Sequence, residues 1–233
     1  MTLTAPTPPT ARRSISRYAA AAVPLIWAPF VYLHPEDPPY AGTADGNAGM
    51  WLTVHFAQLL MAPFLVLALW PTLSRLVGAA ATVAKVALTL WLAFFSAFDA
   101  IAGIATGRLS QQADHLHGAE GVAVGDAVTD MFENDPLVGG GFSALALLAQ
   151  PLWLVVAIAL TAALFHAGER PLTIVAAGLS TLFALHGGPI AALGLLALTV
   201  ALATARLGRT SYPATDHQDL VVDERQRSSD TGA

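Results

Sequence analysis

Six apolar runs on the scale of a membrane crossing constrain this chain more than any other feature of its sequence. The third, "AATVAKVALTLWLAFFSAFDAIAGIAT" at 80–106, contains one basic residue, Lys85, and one acidic residue, Asp99. A membrane-spanning helix needs about 20 mostly apolar residues. Candidates lie at about 18–33, 51–70, 80–106, 137–165, 171–186 and 189–206. Composition agrees: 12% of the 233 residues are charged and 55% are hydrophobic, where a soluble domain carries about 25% charged residues. The expected fold is therefore all-α, a polytopic bundle of six transmembrane helices in the lipid bilayer. Residues 17–206 form the membrane domain, with outer loops at about 34–50 and 107–136. Residues 1–16, rich in Pro and Thr, read as a disordered lead, and 207–233 as a disordered polar tail.

Orientation follows from the basic residues, which concentrate on the cytoplasmic side of membrane proteins. With the N-terminus inside, Arg12, Arg13, Arg17, Arg75, Lys85, Arg170, Arg206, Arg209, Arg225 and Arg227 are cytoplasmic, and Arg108 alone is outside. Both termini are thus expected in the cytoplasm. "RRSISR" before an apolar run also fits an export signal, but no A-x-A site follows, and Pro24 and Pro29 interrupt the run. A retained first helix is the better reading. Arg predominates over Lys and Ala is abundant, the bias of a GC-rich bacterial genome, so the bacterial plasma (inner) membrane is the expected location. No basic face exists outside the termini, which argues against nucleic acid as a partner. The chain has no cysteine, so any metal must be held by His, carboxylate or backbone oxygen.

With this orientation, His34, His55, Asp99, His115, His117 and His186 all fall toward the outer third of the membrane. Asp99 lies about 10 Å below the outer end of its helix at 1.5 Å per residue. An ionised Asp near a helix centre costs roughly 3 kcal/mol, a cost that an adjacent imidazolium or metal offsets. His55, at similar depth on the next helix, is the expected partner, with His34 and His186 close enough to join. Helical spacing puts Thr89, Ser96, Asp99, Gly103 and Thr106 near one face of the third run, turned into the bundle, while Trp91, Phe94, Phe95 and Phe98 cover other sides. Trp51, His55, Gln58 and Ala62 share a face of the second run, and Gly140, Ser143 and Gln150 one of the fourth.

Plainer readings exist for several of these residues. His34 in "LHPEDPP" and His186 in "LHGGP" are each, taken alone, ordinary helix-end residues. His115 and His117 read as exposed in a loop, and Asp126, Asp130 and Glu133 as the solvated face of a short helix. Gly139–Gly141 suits a turn or close packing at a helix start. No P-loop, dinucleotide fingerprint, H-E-x-x-H or nucleophile elbow is present.

The order "HP" at 34–35, "W…VH" at 51–55, "FDAIAGI" at 98–104 and "LHGGP" at 185–189 resembles a family of small multi-pass membrane proteins of actinobacterial type, which implies a fold and no reaction. A weaker similarity is to membrane-embedded zinc hydrolases of the alkaline-ceramidase and adiponectin-receptor type, against which Ser96, Asp99, His55 and His186 can be set. The late H-x-x-x-H of those enzymes is missing here, and six runs replace seven.

Three readings stay open. In the first, His55 and Asp99 with one or two of His34 and His186 bind zinc, Asp99 and Ser96 are the catalytic candidates, and the substrate is a lipid or small polar molecule. In the second, two facing histidines hold haem in an electron carrier. In the third, the chain is a proton-coupled transporter or a scaffold without catalytic activity.

Overall fold

The computed structural model describes residues 9–35, 48–116 and 118–206, with residues 9–16 described by backbone alone. His117, the 207–233 tail and residues 1–8 fall outside that set. Every regular element among the described residues is helical. The helices are α1 (Pro9–Tyr32), α2 (Ala48–Leu73), α3 (Ala79–Phe98), α4 (Thr106–His115), α5 (Ala119–Asn134), α6 (Ala144–His166), α7 (Pro171–Leu179) and α8 (Gly188–Thr204). A π-helical segment, Asp99–Ala105, joins α3 to α4, and a 3-10 segment, Ser180–Leu185, extends α7.

Among the described residues, three helices are long and apolar enough to cross a membrane: α2, the continuous 37-residue run Ala79–His115, and α6. The Pro171–Leu185 run and α8 are shorter apolar helices. α1 begins at Pro9, ahead of the expected lead boundary, and runs unbroken through Pro24 and Pro29. Neighbouring helices satisfy the carbonyls a proline leaves free, so such helices persist in membranes. Large apolar side chains such as Ile26, Phe56, Phe64, Leu67, Ile158 and Phe165 point outward and are more than about half exposed or close to it, as expected for surfaces that face acyl chains.

α3 packs against α6, and α1 against α8, over the largest interfaces; α2 meets α1, α3 and the π segment. Lipid removes most of the hydrophobic drive between helices, so close packing of small residues and interior hydrogen bonds carry the association. Ala81, Ala84 and Ala87 of α3 and Ala149, Ala159 and Ala163 of α6 are buried in one core. Its centre is aromatic: Trp91 lies 5.0 Å from Trp153, and Phe183 lies 5.0 Å from both Trp27 and Trp153, centroid to centroid. The Trp153 indole N–H donates to the Ser180 carbonyl at 2.8 Å.

This core overturns the expected facing of α3. Trp91, Phe95 and Phe98 are buried, whereas Thr89 is exposed and Ser96 half-buried. The expected polar face assumed one α-helical phase from 89 to 106. The switch to i→i+5 bonding at Asp99 changes the turn, so Asp99, Gly103 and Thr106 are buried by the π segment while α3 buries its aromatic stripe. The 107–136 connection also differs from a loop. It folds as the end of the long run and α5, with Ser110 and Val128 buried. The fourth run becomes helical only at Ala144, where Ser143 accepts from the Ala146 N–H at 3.3 Å and caps it. Gly140 and Ser143 therefore sit in the preceding turn rather than on the helix face with Gln150.

Candidate metal centre

The shared face expected for α2 is present: Trp51, His55, Gln58 and Ala62 are all buried. His55 is held by its own helix, with Nδ1 at 2.8 Å from the Trp51 carbonyl. His34 follows α1, and its Nδ1 lies 2.7 Å from the Pro35 carbonyl. A carbonyl only accepts, so both Nδ1 atoms carry a proton, and in the neutral rings both Nε2 atoms present lone pairs. Those two Nε2 atoms face each other at 3.2 Å. Two neutral rings would repel at that distance, and a shared cation, a proton or a metal ion, removes the repulsion.

His186 completes the group. One ligand nitrogen from each of His34, His55 and His186 lies within 4.8 Å of the others, and the His186 Nε2 is buried with no hydrogen-bond partner among the described residues. Its ring packs on Phe95 at 5.4 Å and Phe98 at 5.2 Å, so the aromatic core forms the floor. The His186 backbone has φ 68° and ψ −45°, and the Gly187 N–H bonds to the Leu185 carbonyl at 2.8 Å. This is a strained γ-turn with a non-glycine residue at its centre, a conformation costing about 1–3 kcal/mol that persists where the surroundings hold it and clusters at functional sites.

Two glycines let the rings approach. A Cβ on Gly103 would run into the His55 ring, and one on Gly187 would lie 2.7 Å from the His34 Cγ. The Trp51 indole N–H donates to the Gly103 carbonyl at 2.7 Å, pinning α2 to the π segment, while the Trp51 and His55 rings stack at 4.4 Å and 30°. A cavity of about 530 Å³ opens beside the trio, lined in part by Trp51, Phe98, Phe132 and Gln150.

Among the residues singled out from sequence, His34, His55 and His186 come together. Asp99 is fully buried but stands outside the trio, and neither carboxylate oxygen has a hydrogen-bond partner. The backbone N–H of Leu59 faces it without closing a hydrogen bond. Gln58 is likewise fully buried with both amide atoms unpartnered. Ser96 is half-buried and does not line the cavity. His115 ends α4, exposed, as expected. Sequence reasoning missed Gly187, Phe98 and Phe132 as site residues. "HGGP" after an apolar run was the available signal for Gly187; nothing in the sequence marks the two phenylalanines.

The donor set fits an imidazole-bound divalent metal. Zinc binds imidazole nitrogen at about 2.0–2.1 Å, which puts two nitrogens of a tetrahedral site about 3.3 Å apart, close to the 3.2 Å seen between His34 and His55. Proton-bearing Nδ1 atoms tied to carbonyls are the usual outer partners of metal-ligating histidines. Axial haem ligation needs nitrogens about 4 Å apart across a flat macrocycle at such bond lengths, and this pair leaves no room for one. Compared with protein-family models, curated proteins and solved structures, the chain matches none.

Proposed function

We propose that this chain is a six-helix protein of the bacterial plasma membrane, both ends cytoplasmic, whose His34, His55 and His186 bind a zinc-type divalent metal in the outer leaflet. The ten-to-one distribution of basic residues supports the orientation. α1, the Pro171–Leu185 run and α8 would supply the three crossings beyond the three long helices. One observation carries the metal reading: two Nε2 atoms held at 3.2 Å while a backbone carbonyl accepts from Nδ1 on the opposite side of each ring.

Three histidines leave a fourth position for water or substrate. A zinc ion there would supply Lewis acidity and a water ionisable near neutral pH, which makes hydrolysis the favoured reaction class. The chain's own contribution is positional. Carbonyls fix the two tautomers, Gly103 and Gly187 set the ring approach, and the aromatic floor excludes water from below. Gln150 is the polar cavity residue placed to orient a substrate.

Elemental analysis of the detergent-purified protein tests the reading, with wild type beside His55→Ala and His186→Ala. Near-stoichiometric zinc in the wild type, lost in both variants while helicity by circular dichroism persists, is the expected result. Metal-free wild type from zinc-supplemented medium would sink the proposal and favour a transporter or scaffold.

A further inference from the structure

The cavity has walls of two kinds. Its polar side chains include the three histidines and Gln150, whereas Phe98, Phe132, Leu185 and Ile190 are among its apolar lining. Two of these apolar residues belong also to the outer surface: Leu185 is 59% exposed and Ile190 52%. Below Ile190, exposed Leu193, Leu196 and Val200 continue down α8 at the steps of three and four that share a helix side. Leu172, Val175 and Leu179 do the same on α7. Leu185 and Ile190 therefore link the cavity lining to the exposed apolar sides of α7 and α8, which in a membrane abut acyl chains. On the other side Phe132 stands over the cavity, 5.6 Å from Trp51 and edge-on to it. The turn at Gly140 packs so tightly beneath Phe132 that a Cβ there would lie 2.8 Å from the ring.

We propose that the cavity takes a glycerophospholipid sideways from the outer leaflet through the gap between Leu185 and Ile190. The head group lies against the histidine centre and the upper acyl chain along Phe98, Phe132 and Ile190. A cavity of about 530 Å³ is the size that holds a drug-sized body. It accommodates a head group with the start of a chain and leaves the remaining chains in the bilayer, which a mouth on the lipid side permits. The anionic phosphate is the group a divalent cation at the trio would attract; to that extent the inference rests on the metal reading.

The test is native mass spectrometry of delipidated protein titrated with long-chain phosphatidylglycerol and, separately, with its water-soluble head group, glycerophosphoglycerol. Wild type, Ile190→Trp and Leu185→Trp are compared, with zinc content measured on the same samples. Wild type should keep one phosphatidylglycerol under activation that strips annular lipid. Both tryptophan variants, which fill the mouth from exposed positions, should lose it with zinc unchanged. Retention in both variants, no retained lipid in wild type, or head-group binding as tight as that of the lipid would overturn lateral entry. Lipid retained by wild type, lost in the variants and accompanied by no zinc would leave the lipid mouth standing and remove the metal centre.

Discussion

Replacing Gly103 by alanine should uncouple the histidine centre from the fold. The added Cβ would meet the His55 ring and lie 2.8 Å from the His55 Cβ. That atom is fixed to the backbone, so rotating the side chain gives no relief. Carbon atoms settle at about 3.5–4.0 Å, so α2 and the π segment must part by roughly 1 Å. Overpacking of this kind costs about 1–3 kcal/mol, while alanine in place of glycine in a helix returns at most about 1 kcal/mol. The net loss of stability is thus small, on the order of 0–2 kcal/mol. The metal is far less forgiving, because ligand positions must hold to about 0.2 Å. Moving His55 by several times that amount changes its 3.2 Å spacing from His34 and strains the Trp51 bond to the Gly103 carbonyl. Zinc affinity should fall by at least the 10–100-fold that follows loss of an outer partner, with helicity retained. Competition against a chelating dye measures the first and circular dichroism with thermal unfolding the second. Wild-type zinc affinity in Gly103→Ala would refute the claim that this close approach positions His55.

Asp99→Asn should keep the wild-type zinc content, because the carboxylate lies outside the trio; zinc loss in this variant would make Asp99 a ligand after all. Its stability should equal or exceed wild type, since neither carboxylate oxygen has a hydrogen bond to lose among the described residues. His186→Gly should lose the metal yet be more stable than His186→Ala by on the order of 1 kcal/mol, because both lose the ring's contacts with Phe95 and Phe98 but only glycine adopts φ 68° without strain. A glycine variant less stable than the alanine variant and still holding zinc would contradict both parts. Outside the membrane segments, the N–H groups of Val138 and Leu137 donate to Asp135 and hold its carboxyl below the usual 3.8. The stabilisation of this turn is therefore present above pH 3.8 and lost as pH falls through the lowered folded value. The amide NMR shifts of Leu137 and Val138 should stay constant from neutral pH to about 4 and move only below it; movement near pH 6 would exclude Asp135 as the cause.

Local patterning was enough to define much of this protein. Long apolar runs marked α1, α2, α3, α6, α7 and α8 but neither α4 nor α5, because a chain segment in lipid must satisfy its backbone within itself and the sequence has to supply about 20 apolar residues to do so. The face of α2 was legible for the same reason, since Trp51, His55, Gln58 and Ala62 obey a single helical period. Depth then followed from counting residues to a helix end, which is how His34, His55 and His186 could be placed at one level.

Depth is only one coordinate, and the others belong to tertiary structure. Asp99 was expected at the level of the histidines, yet it begins a π segment and stands outside their group. No residue in "DAIAGIA" announces a five-residue hydrogen-bond step, because its competitor, the α-helical step, suits the same residues equally well. The aromatic stripe of Trp91, Phe95 and Phe98 went inward for a related reason: in lipid, polarity does not decide which side faces the core, and the fit against Trp27, Trp153 and Phe183 does. The sequence determined that this is a helical chain with runs long and apolar enough to cross a membrane. Only packing decided that three of its histidines meet with a ring nitrogen of each within 4.8 Å of the others, because ring spacing depends on how closely Gly103 and Gly187 allow separate segments to approach.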